Sequence, residues 1–513
     1  MSGSTSWRSA FGQVRACSGV LMLGLVQGMA IGWSSPALTK LRDGSGPFQP
    51  TLDEASWIVS LFDLGCGLGV LVGAAVFTRV GRRRTLLVGP VSFSCWCLLT
   101  YFATAPGYLI AARALAGAGQ GMCMSFSYIY VGEVATPAMR GALILTVTLL
   151  LPVGQLLAYI VGPVVSFWTQ ALVPLPGALL SGLLMLFVMD ETPFYLAMQG
   201  QHDQVVATLA RIRGRGHLAD EDAGGAVRAE AAAVREAVER QQRDAATWRD
   251  TLRPPGAKRA AIIVLVESGA LAAVGVTTVL AFTQQIFEHA GTPVRADVSA
   301  AVLIAIKVAM VLVSMTLIER LGRRLQLGLG AVANSVAMLG LASFFLARDV
   351  LGADVSGVRW LPLVCLALFI SATGVGVNAV PQVLMSELLS QRAKGLVAPV
   401  AVVIVSVTSF GLNKAFLLVG NRYGFHLPFG LYAVTNLLVA VFTFLVVPET
   451  KGKTLAEVQE LLRDADKADK VKGRKPSWDP RIGEKLAKNS LELTYTFPGA
   501  NKSVIADLEC DND

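Results

Sequence analysis

Twelve long apolar runs constrain the fold of this chain more than any other feature. Each run has about 20 residues, the length that a helix needs to cross the hydrocarbon core of a membrane. A transmembrane β-barrel is excluded, because its strands would be short segments of alternating polarity. The sequence therefore predicts an all-α membrane protein with twelve transmembrane helices, at 14–36, 56–78, 85–104, 108–131, 142–163, 169–189, 260–283, 298–318, 325–347, 360–386, 396–419 and 428–447.

The composition agrees with that prediction. Hydrophobic residues make up 53% of the 513 residues, charged residues only 16%, and the mean hydropathy is +0.56, which is outside the range of soluble globular proteins. The first apolar run is too long for a signal peptide, and we expect it to be retained. The expected partners are the lipid bilayer and a small-molecule substrate.

The net charge of +8 would suit nucleic acid, but the placement of the basic residues argues against such a partner. They cluster in loops at one end of the apolar runs. By the positive-inside rule that end is cytoplasmic, and an even number of spans places both termini there. We expect a multi-pass protein of the cell membrane whose cytoplasmic loops carry Arg79, Arg82, Arg83, Arg84, Arg140, Arg320, Arg323, Arg324, Arg392 and Lys394.

The spans divide into two blocks of six whose local signals repeat. "RVGRRR" at 79–84 returns as "RLGRR" at 320–324, and "DETP" at 190–193 returns as "PETK" at 448–451. Glu133 precedes Arg140 by seven positions, as Glu387 precedes Lys394. Such a parallel repeat of two six-helix halves is the major facilitator architecture, in which the substrate site lies between the halves near the midplane.

These signals predict four segments. The first six-helix half covers 1–189 and the second covers 259–447. Between them, 190–258 is a polar, cytoplasmic helical linker, in which Val227, Ala231, Val234 and Val238 recur at helical spacing. After the last span, 448–513 is a cytoplasmic tail, largely disordered because its later part lacks periodicity.

The repeated loops predict ion pairs at the cytoplasmic ends of the helices. Gly81 and Gly322 suit tight turns, and the arginines that follow them can bind carboxylates bidentately. We expect these pairs to form a latch that holds the cytoplasmic side shut and breaks when the halves move. The alternative is that the arginines only set the topology.

Enzymatic chemistry has no support in the sequence. The four histidines lie outside the spans, the cysteines lack metal spacing or a disulfide framework, and we find no nucleotide-binding loop or nucleophile constellation. We expect no enzyme activity, no catalytic residues, no metal and no cofactor.

Seven segments resemble the signatures of the sugar porter family of the major facilitator superfamily: "RVGRRR", "RALAGAGQG", "YVGEVATPAMRGAL", "DETPFYLAMQG", "IERLGRR", "SELLSQRAKG" and "PETKGKTLAEV". The chain is most similar to insect facilitated trehalose transporters and to facilitative glucose transporters. The resemblance implies a uniporter driven by the sugar gradient. It also implies that Arg113, Glu133, Arg140 and Glu387 belong to a charge network. With the loop charges they make up the predicted gating charge network, whose other members are Arg82, Arg83, Glu191, Glu319, Arg323, Arg324, Lys394 and Glu449.

The chain departs from the family pattern where sugar hydroxyls are usually bound. Leu271, Ala272 and Thr277 stand where span seven usually offers glutamines and an asparagine, and Gln382 replaces a tryptophan in span ten. A sugar needs hydrogen-bonding partners, because buried polar groups left unpaired cost about 1–3 kcal/mol each. The remaining substrate-binding candidates are Gln27, Trp33, Gln155, Tyr159, Thr277, Thr278, Lys307, Asn378 and Gln382. Of these, Asn378 and Gln382 are expected to share one helix face.

Lys307 occupies the middle of span eight, where the family usually has asparagine. It lies roughly 15 Å and 18 Å from the two ends of its helix, too far to snorkel, so we expect it to face the protein interior. Glu267, roughly 12 Å deep in span seven, is a possible ion-pair partner. The other possibilities are a neutral lysine and a cation that meets substrate.

Three functional hypotheses remain open. The leading one is a facilitative hexose or trehalose transporter that works by alternating access. The second is a proton-coupled or altered-specificity carrier that uses Lys307 and Glu267. The third is a non-transporting receptor that retains the fold.

Overall fold

The computed structural model describes residues 7–214, 221–243, 256–378, 380–453, 457–458 and 460–463. Residues 1–462 form one compact unit. Most of the predicted tail, 464–513, lies outside the described residues, as do 215–220 and 244–255 of the predicted linker.

The first six spans are built from nine helices, because several spans are broken. In chain order they are α1 (Trp7–Gly32), α2 (Ser34–Arg42), α3 (Leu52–Val80), α4 (Arg82–Leu86), α5 (Val88–Tyr101), α6 (Pro106–Val134), α7 (Pro137–Val161), α8 (Phe167–Leu172) and α9 (Leu175–Phe187). Below, "first half" denotes these helices.

Three helices follow before the second block: α10 (Pro193–Met198), α11 (His202–Ile212) and α12 (Glu221–Arg243). They share a small apolar cluster that includes Leu196, Leu209, Val227 and Val238, so the helical periodicity noted in the sequence reflects a buried face. Arg213 joins this group to the first half, because its guanidinium pairs with Glu230 at 2.6 Å and donates to the Val134 carbonyl.

The last six spans, the "second half", contain nine helices: α13 (Ala257–Ala273), α14 (Val276–Ala281), α15 (Thr283–Ala290), α16 (Ala296–Leu321), α17 (Arg323–Phe345), α18 (Leu361–Ala372), α19 (Val380–Leu388), α20 (Gln391–Tyr423) and α21 (His426–Val446). Two π-helical turns (Leu346–Val350 and Thr373–Val377) and one 3-10 turn (Ser356–Val358) connect parts of them.

All twelve predicted spans fall on helices, and the described residues contain no strand. Ten helical segments are long and apolar enough to cross a membrane. Two predicted spans are not among these ten. One consists of α4 and α5, which are separated by a break at Leu87, and the other is α6. Helix α6 is less apolar because it buries polar side chains, including Arg113, Gln120 and Ser127, against its neighbours.

Local sequence explains where key helices begin and end. Thr51 and Glu54 form a reciprocal capping box at the start of α3, which satisfies amide groups that the helix leaves unpaired. Gly81 and Gly322 end α3 and α16 with φ angles of +111° and +84°, in the region where a side chain would be strained. The repeated glycines of the sequence are therefore repeated structural turns.

Two interruptions lie inside the second half. Gly275 separates α13 from α14 with φ +90°, and the freed carbonyls accept hydrogen bonds from Thr435 at 3.0 Å and Asn436 at 3.3 Å. The π-helical turn at Thr373–Val377 precedes α19. Broken helices of this kind often line substrate sites in transporters.

Glycines allow α1 and α7 to approach closely. A Cβ added at Gly28 would lie 1.9 Å from the Leu151 carbonyl oxygen, and one added at Gly154 would lie 2.0 Å from that of Leu25. Contact between small residues is a usual way to pack helices in membranes. This packing fixes the position of Gln155, the residue after Gly154.

Candidate functional site

One cluster of charged residues surrounds the turn at Gly81. The Arg82 guanidinium, 5% exposed, binds both carboxylate oxygens of Glu133 at 3.2 and 3.3 Å. Thr192 also donates to Glu133, at 2.5 Å. The Glu191 carboxylate accepts from the backbone amides of Arg82 at 3.0 Å and Arg83 at 3.2 Å. The cluster thus ties the start of α4 to the end of α6 and to the segment before α10.

The second half repeats the arrangement around Gly322. Arg323 binds Glu387 at 2.8 Å, and Thr450 donates to the other carboxylate oxygen of Glu387. Glu449 accepts from the backbone amides of Arg323 at 3.0 Å and Arg324 at 3.1 Å. The internal repeat predicted from the sequence is therefore present at these loops, where matching residues make the same kinds of contact.

The two repeated glutamates differ electrostatically. Burial raises the pKa of Glu191 and outweighs the amides of Thr192, Arg83 and Arg82 that stabilise its charge. Burial acts in the same direction on Glu449, but the backbone amides of Lys451, Arg323 and Arg324 outweigh it, so the pKa of Glu449 is lowered. The surroundings of Glu449 therefore favour its charged form, whereas those of Glu191 disfavour it.

Each ion pair joins residues of the same half. Arg82 and Glu133 both belong to the first half, and Arg323 and Glu387 belong to the second. In the described conformation these pairs therefore connect neighbouring helices of one half. The latch between the halves stays a prediction.

The remaining predicted members of the charge network have other environments. The Arg83 side chain donates to the Met185 carbonyl at 2.6 Å, and that of Arg324 donates to the Phe444 carbonyl. Arg140 is exposed and reaches only the Ala135 carbonyl, at 3.4 Å. Lys394 is half-buried on α20, and the side chain of Glu319 lies outside the described residues.

Arg113 lies away from the loop cluster to which the sequence assigned it. It is near the other end of α6 from Glu133, twenty residues along the helix, which is roughly 30 Å. Its guanidinium, 2% exposed, donates to the Ala30 carbonyl at 2.8 Å and stacks 4.2 Å from the Phe62 ring centre. The resemblance implied a role in one network, and the structure separates the two sites because α6 spans the membrane.

Asp63 is a site residue that the sequence analysis missed. It lies on α3, interacts electrostatically with Arg113, and accepts a hydrogen bond of 2.6 Å from Asn413 on α20. A single acidic residue inside an apolar span was a visible signal, since intramembrane charges are costly and usually functional.

The Asp63–Asn413 contact belongs to a longer set of contacts between the halves, which we call the seam. Lys414 pairs with Asp53 at 2.5 Å and donates to Ser56 at 2.9 Å, so α3 and α20 are joined along several turns. Arg42 pairs with Glu288 and connects α2 to α15.

Further seam contacts connect α2 and α7 to the broken seventh span. The backbone amide of Gln284 donates to Ser35 at 3.1 Å, and the Gln285 side chain donates to the Ser35 carbonyl at 3.0 Å. The Tyr159 hydroxyl on α7 donates to the Leu280 carbonyl. The seam lies at the helix ends opposite the arginine loops, because α3 runs from Asp53 in the seam to Gly81 at the loops.

A cavity of about 650 Å³ opens on the seam side between the two halves. It is lined by charged and polar groups from both halves, including Thr39, Lys40, Glu288 and Arg295. Lys40 is held by the Gln170 side chain at 3.0 Å and by backbone carbonyls.

Lys307 contacts the opposite half. Its ammonium donates to the Gln155 carboxamide oxygen at 2.9 Å, so two predicted candidates meet between α16 and α7. The possible ion pair with Glu267 is not formed: the Glu267 carboxylate contacts Thr443 of α21 at 3.4 Å. The depth estimate was compatible with a pair, but depth along the membrane does not fix the direction in which a side chain points around its helix.

Other candidates in the first half are more deeply packed. Trp33 is 1% exposed and packs edge-on against Trp96 at 6.0 Å and Phe167 at 6.1 Å, inside the first half. Gln27 is buried, and its amide nitrogen has no partner among the described residues.

The candidates in the second half are spread over several helices. The Thr277 hydroxyl donates to Ser409 at 3.3 Å, and Thr278 is buried. Gln382 is exposed on α19, whereas Asn378 follows the π-helical turn. Residue 379, between them, lies outside the described residues, so the expectation of one shared helix face stays a prediction.

Comparison with known proteins agrees with this architecture. The model of the family described as "Sugar (and other) transporter" matches residues 17–462. The chain belongs to this family. Its members are transporters, so the chain is a multi-pass membrane protein of a transporter family rather than of an enzyme family.

Curated relatives include facilitated trehalose transporters of insects. That of Drosophila willistoni is 28% identical over 453 residues, which cover 87% of this chain and 50% of the relative. That of Culex quinquefasciatus is 26% identical over 461 residues and is covered to 86%. The chain thus spans about half the length of the Drosophila relatives that it matches.

Among solved structures, the xylose transporter XylE of E. coli in an inward-open conformation matches with a TM-score of 0.68. The sequences are 20% identical, and the match covers 87% of this chain and 99% of XylE. This likeness establishes the major facilitator fold, with twelve helices in two halves, that the repeat in the sequence predicted.

Proposed function

We propose that this protein is a facilitative sugar transporter that works by alternating access. The family to which the chain belongs and the names of its insect relatives support a hexose or trehalose-type substrate. The observation that carries the mechanism is the position of the seam: polar contacts between the halves lie at the helix ends opposite the arginine loops.

Alternating access requires these contacts to break and form again. The seam includes the pairs Arg42–Glu288 and Lys414–Asp53 and the hydrogen bond from Asn413 to Asp63. Opening the seam side separates these partners, while the clusters at Arg82 and Arg323 keep each half rigid because both partners of each pair move together.

Orientation follows from the loop charges. With the arginine loops in the cytoplasm, both termini are cytoplasmic, the seam is extracellular, and the halves are in contact on the extracellular side. We place the protein in the cell membrane. We also propose that the chain is organised in the four segments predicted from the sequence, 1–189, 190–258, 259–447 and 448–513. Transport of this kind uses no enzymatic step, metal or cofactor.

The proposed substrate site lies between the halves, on the cytoplasmic side of the seam. Gln155 and Lys307 meet there, and we keep Thr277, Asn378 and Gln382 as candidates of the second half. Gln27 supplies a further amide from α1. Trp33 serves the site indirectly, because it packs within the first half.

The proposal is tested with the full chain in proteoliposomes. Radiolabelled glucose and trehalose are offered with and without an imposed pH gradient. We expect saturable uptake that reaches, but does not exceed, the external concentration and is indifferent to the gradient. Uptake no faster than in protein-free vesicles would contradict transport, and accumulation driven by protons would contradict the facilitative mechanism.

A cross-linked variant tests whether the seam has to open during transport. Arg42→Cys combined with Glu288→Cys places one thiol on each side of the seam. Because cysteine is shorter than either native side chain, a bifunctional thiol reagent with a reducible spacer is used to join them. The cross-link should stop transport, reduction of the spacer should restore it, and the single substitutions should not respond to the reagent.

A further inference from the structure

Lys307 is a cation in the middle of a membrane span, and few groups of the chain stabilise its charge. Its ammonium has three N–H donors, and in the part of the chain that the structure describes its one hydrogen-bond or ion-pair partner is the neutral Gln155 oxygen. Lys307 is partly exposed, and its contact reaches the opposite half, so the side chain lies between the halves rather than against lipid.

The partner of Lys307 also has unused hydrogen-bonding capacity. Gln155 is 0% exposed, and its amide nitrogen has no acceptor among the described residues. The same is true of the amide nitrogen of Gln27 on α1, and α1 packs against the Gln155 backbone at Gly28. Buried donors without acceptors are costly, which indicates that an acceptor is supplied from outside the chain.

The acidic side chains within the spans are engaged elsewhere. Asp63 accepts from Asn413 and interacts with Arg113, and Glu267 contacts Thr443. Neither carboxylate lies within ion-pair distance of Lys307. Lys307 therefore carries a positive charge between the halves that no described carboxylate neutralises, in a medium where charges interact strongly.

We propose that Lys307 and Gln155 bind the carboxylate of an acidic monosaccharide, such as a hexuronate. This inference rests on the proposed function and names its substrate class. A carboxylate offers two acceptor oxygens and a negative charge, and an ionised carboxylate is acceptor-only, so it matches an ammonium and an amide N–H side by side. A neutral sugar hydroxyl could accept one of these hydrogen bonds but would leave the charge uncompensated.

The test compares two sugars that differ at one carbon. The full chain in proteoliposomes is offered glucose and glucuronate at pH 7, with acetate as an anion that lacks the sugar ring. We expect kcat/KM for glucuronate to exceed that for glucose by about tenfold or more, the effect of one charge-assisted hydrogen bond. Lys307→Met should reduce this ratio by about tenfold, and Lys307→Arg should preserve most of it.

A second variant keeps the test informative if Lys307→Met fails to fold. Gln155→Glu places a carboxylate of the chain itself 2.9 Å from the ammonium, so it should lower the ratio by supplying an internal counterion. Glu267→Gln removes an intramembrane charge that does not contact Lys307, and the ratio should be unchanged.

The outcomes separate this inference from the proposed function. If glucose is transported and glucuronate is not, or if Lys307→Met leaves the ratio unchanged, the acid site is refuted while sugar transport stands. Acetate transport as fast as glucuronate transport would also refute it, because the sugar ring would be irrelevant. If no sugar is transported at all, the proposed function fails with it.

Discussion

The Asn413 amide donates a 2.6 Å hydrogen bond to the Asp63 carboxylate and so joins two helices from opposite halves of the protein. Asn413 is 2% exposed, so water does not readily replace it as a donor. A contact of this kind has to break whenever the seam opens.

Removing this carboxylate should shift the protein toward the seam-open state. Loss of one partner of a buried hydrogen bond costs about 1–3 kcal/mol, here in the seam-closed state alone. We expect Asp63→Ala to lengthen and broaden the distance between spin labels at the exposed positions Leu52 and Tyr423. Asp297→Asn is the control, because Asp297 pairs with Arg295 in the same half. An unchanged distance distribution in Asp63→Ala would show that the contact does not hold the seam.

The arginine clusters should matter for folding more than for gating. Breaking the buried Arg82–Glu133 pair leaves an uncompensated charge, which costs about 3–5 kcal/mol. Arg82→Ala should therefore lower the thermal unfolding temperature in detergent sharply, and Arg323→Ala should do so in the second half. The exposed Arg84 is the matched control, and Arg84→Ala should have little effect. Equal effects of Arg82→Ala and Arg84→Ala would contradict a bracing role.

The close approach of α1 and α7 leads to a prediction about glycine. Gly28→Ala would place its Cβ 1.9 Å from a backbone oxygen of α7, which neither helix can accommodate without moving. The yield of monodisperse protein in size-exclusion chromatography should fall severalfold. Gly141→Ala lies on α7, where no described atom is within 4 Å of the new Cβ, and should behave like the wild type. Normal yield of Gly28→Ala would show that the helices are less tightly packed.

The two repeated glutamates should respond oppositely to pH. The lowered pKa of Glu449 means that its charge stabilises the fold above its unfolded pKa, about 4.3, and that this contribution is lost as the pH falls through the lowered value. Glu449→Gln should therefore lower the unfolding temperature at pH 7, and the deficit should shrink only as the pH falls below about 4.3.

The contribution of Glu191 to stability changes with pH in the opposite direction. Its raised pKa means that its stabilising contribution is present at low pH and lost as the pH rises through the raised value. Glu191→Gln should therefore cost less than Glu449→Gln at pH 7. A larger cost for Glu191→Gln at that pH would mean that burial does not dominate its environment.

Much of the fold could be predicted because membrane insertion leaves strong signals in sequence. Span length predicts membrane-crossing helices, and loop charge predicts their topology. The repeats around Gly81 and Gly322 predict matching turns in the two halves. The break at Gly275 and the π-helical turn at Thr373–Val377 were less predictable, because their carbonyls are satisfied by residues distant in sequence. Thr435 and Asn436 donate to carbonyls at the break, and Ser314 and Gln326 donate to the Val375 carbonyl in the turn.

The candidate site was predicted less completely, for a geometric reason. Sequence gives depth along a helix, and depth brought Lys307 and Glu267 to similar levels. Which neighbours a side chain meets depends on the rotation of its helix and on packing, and these direct Lys307 toward Gln155 and Glu267 toward Thr443. Asp63 was recognisable as an intramembrane charge, but its partner Asn413 is set by tertiary contacts alone.

Counterflow in proteoliposomes tests the central claim most directly. Vesicles that contain the full chain are preloaded with unlabelled sugar and diluted into a trace of the same sugar with a label. An alternating-access carrier exchanges one molecule for another, so the account predicts a transient accumulation of label inside the vesicles that is absent from protein-free vesicles. Absence of this overshoot for glucose, trehalose and glucuronate alike would contradict the assignment of this protein as a sugar transporter.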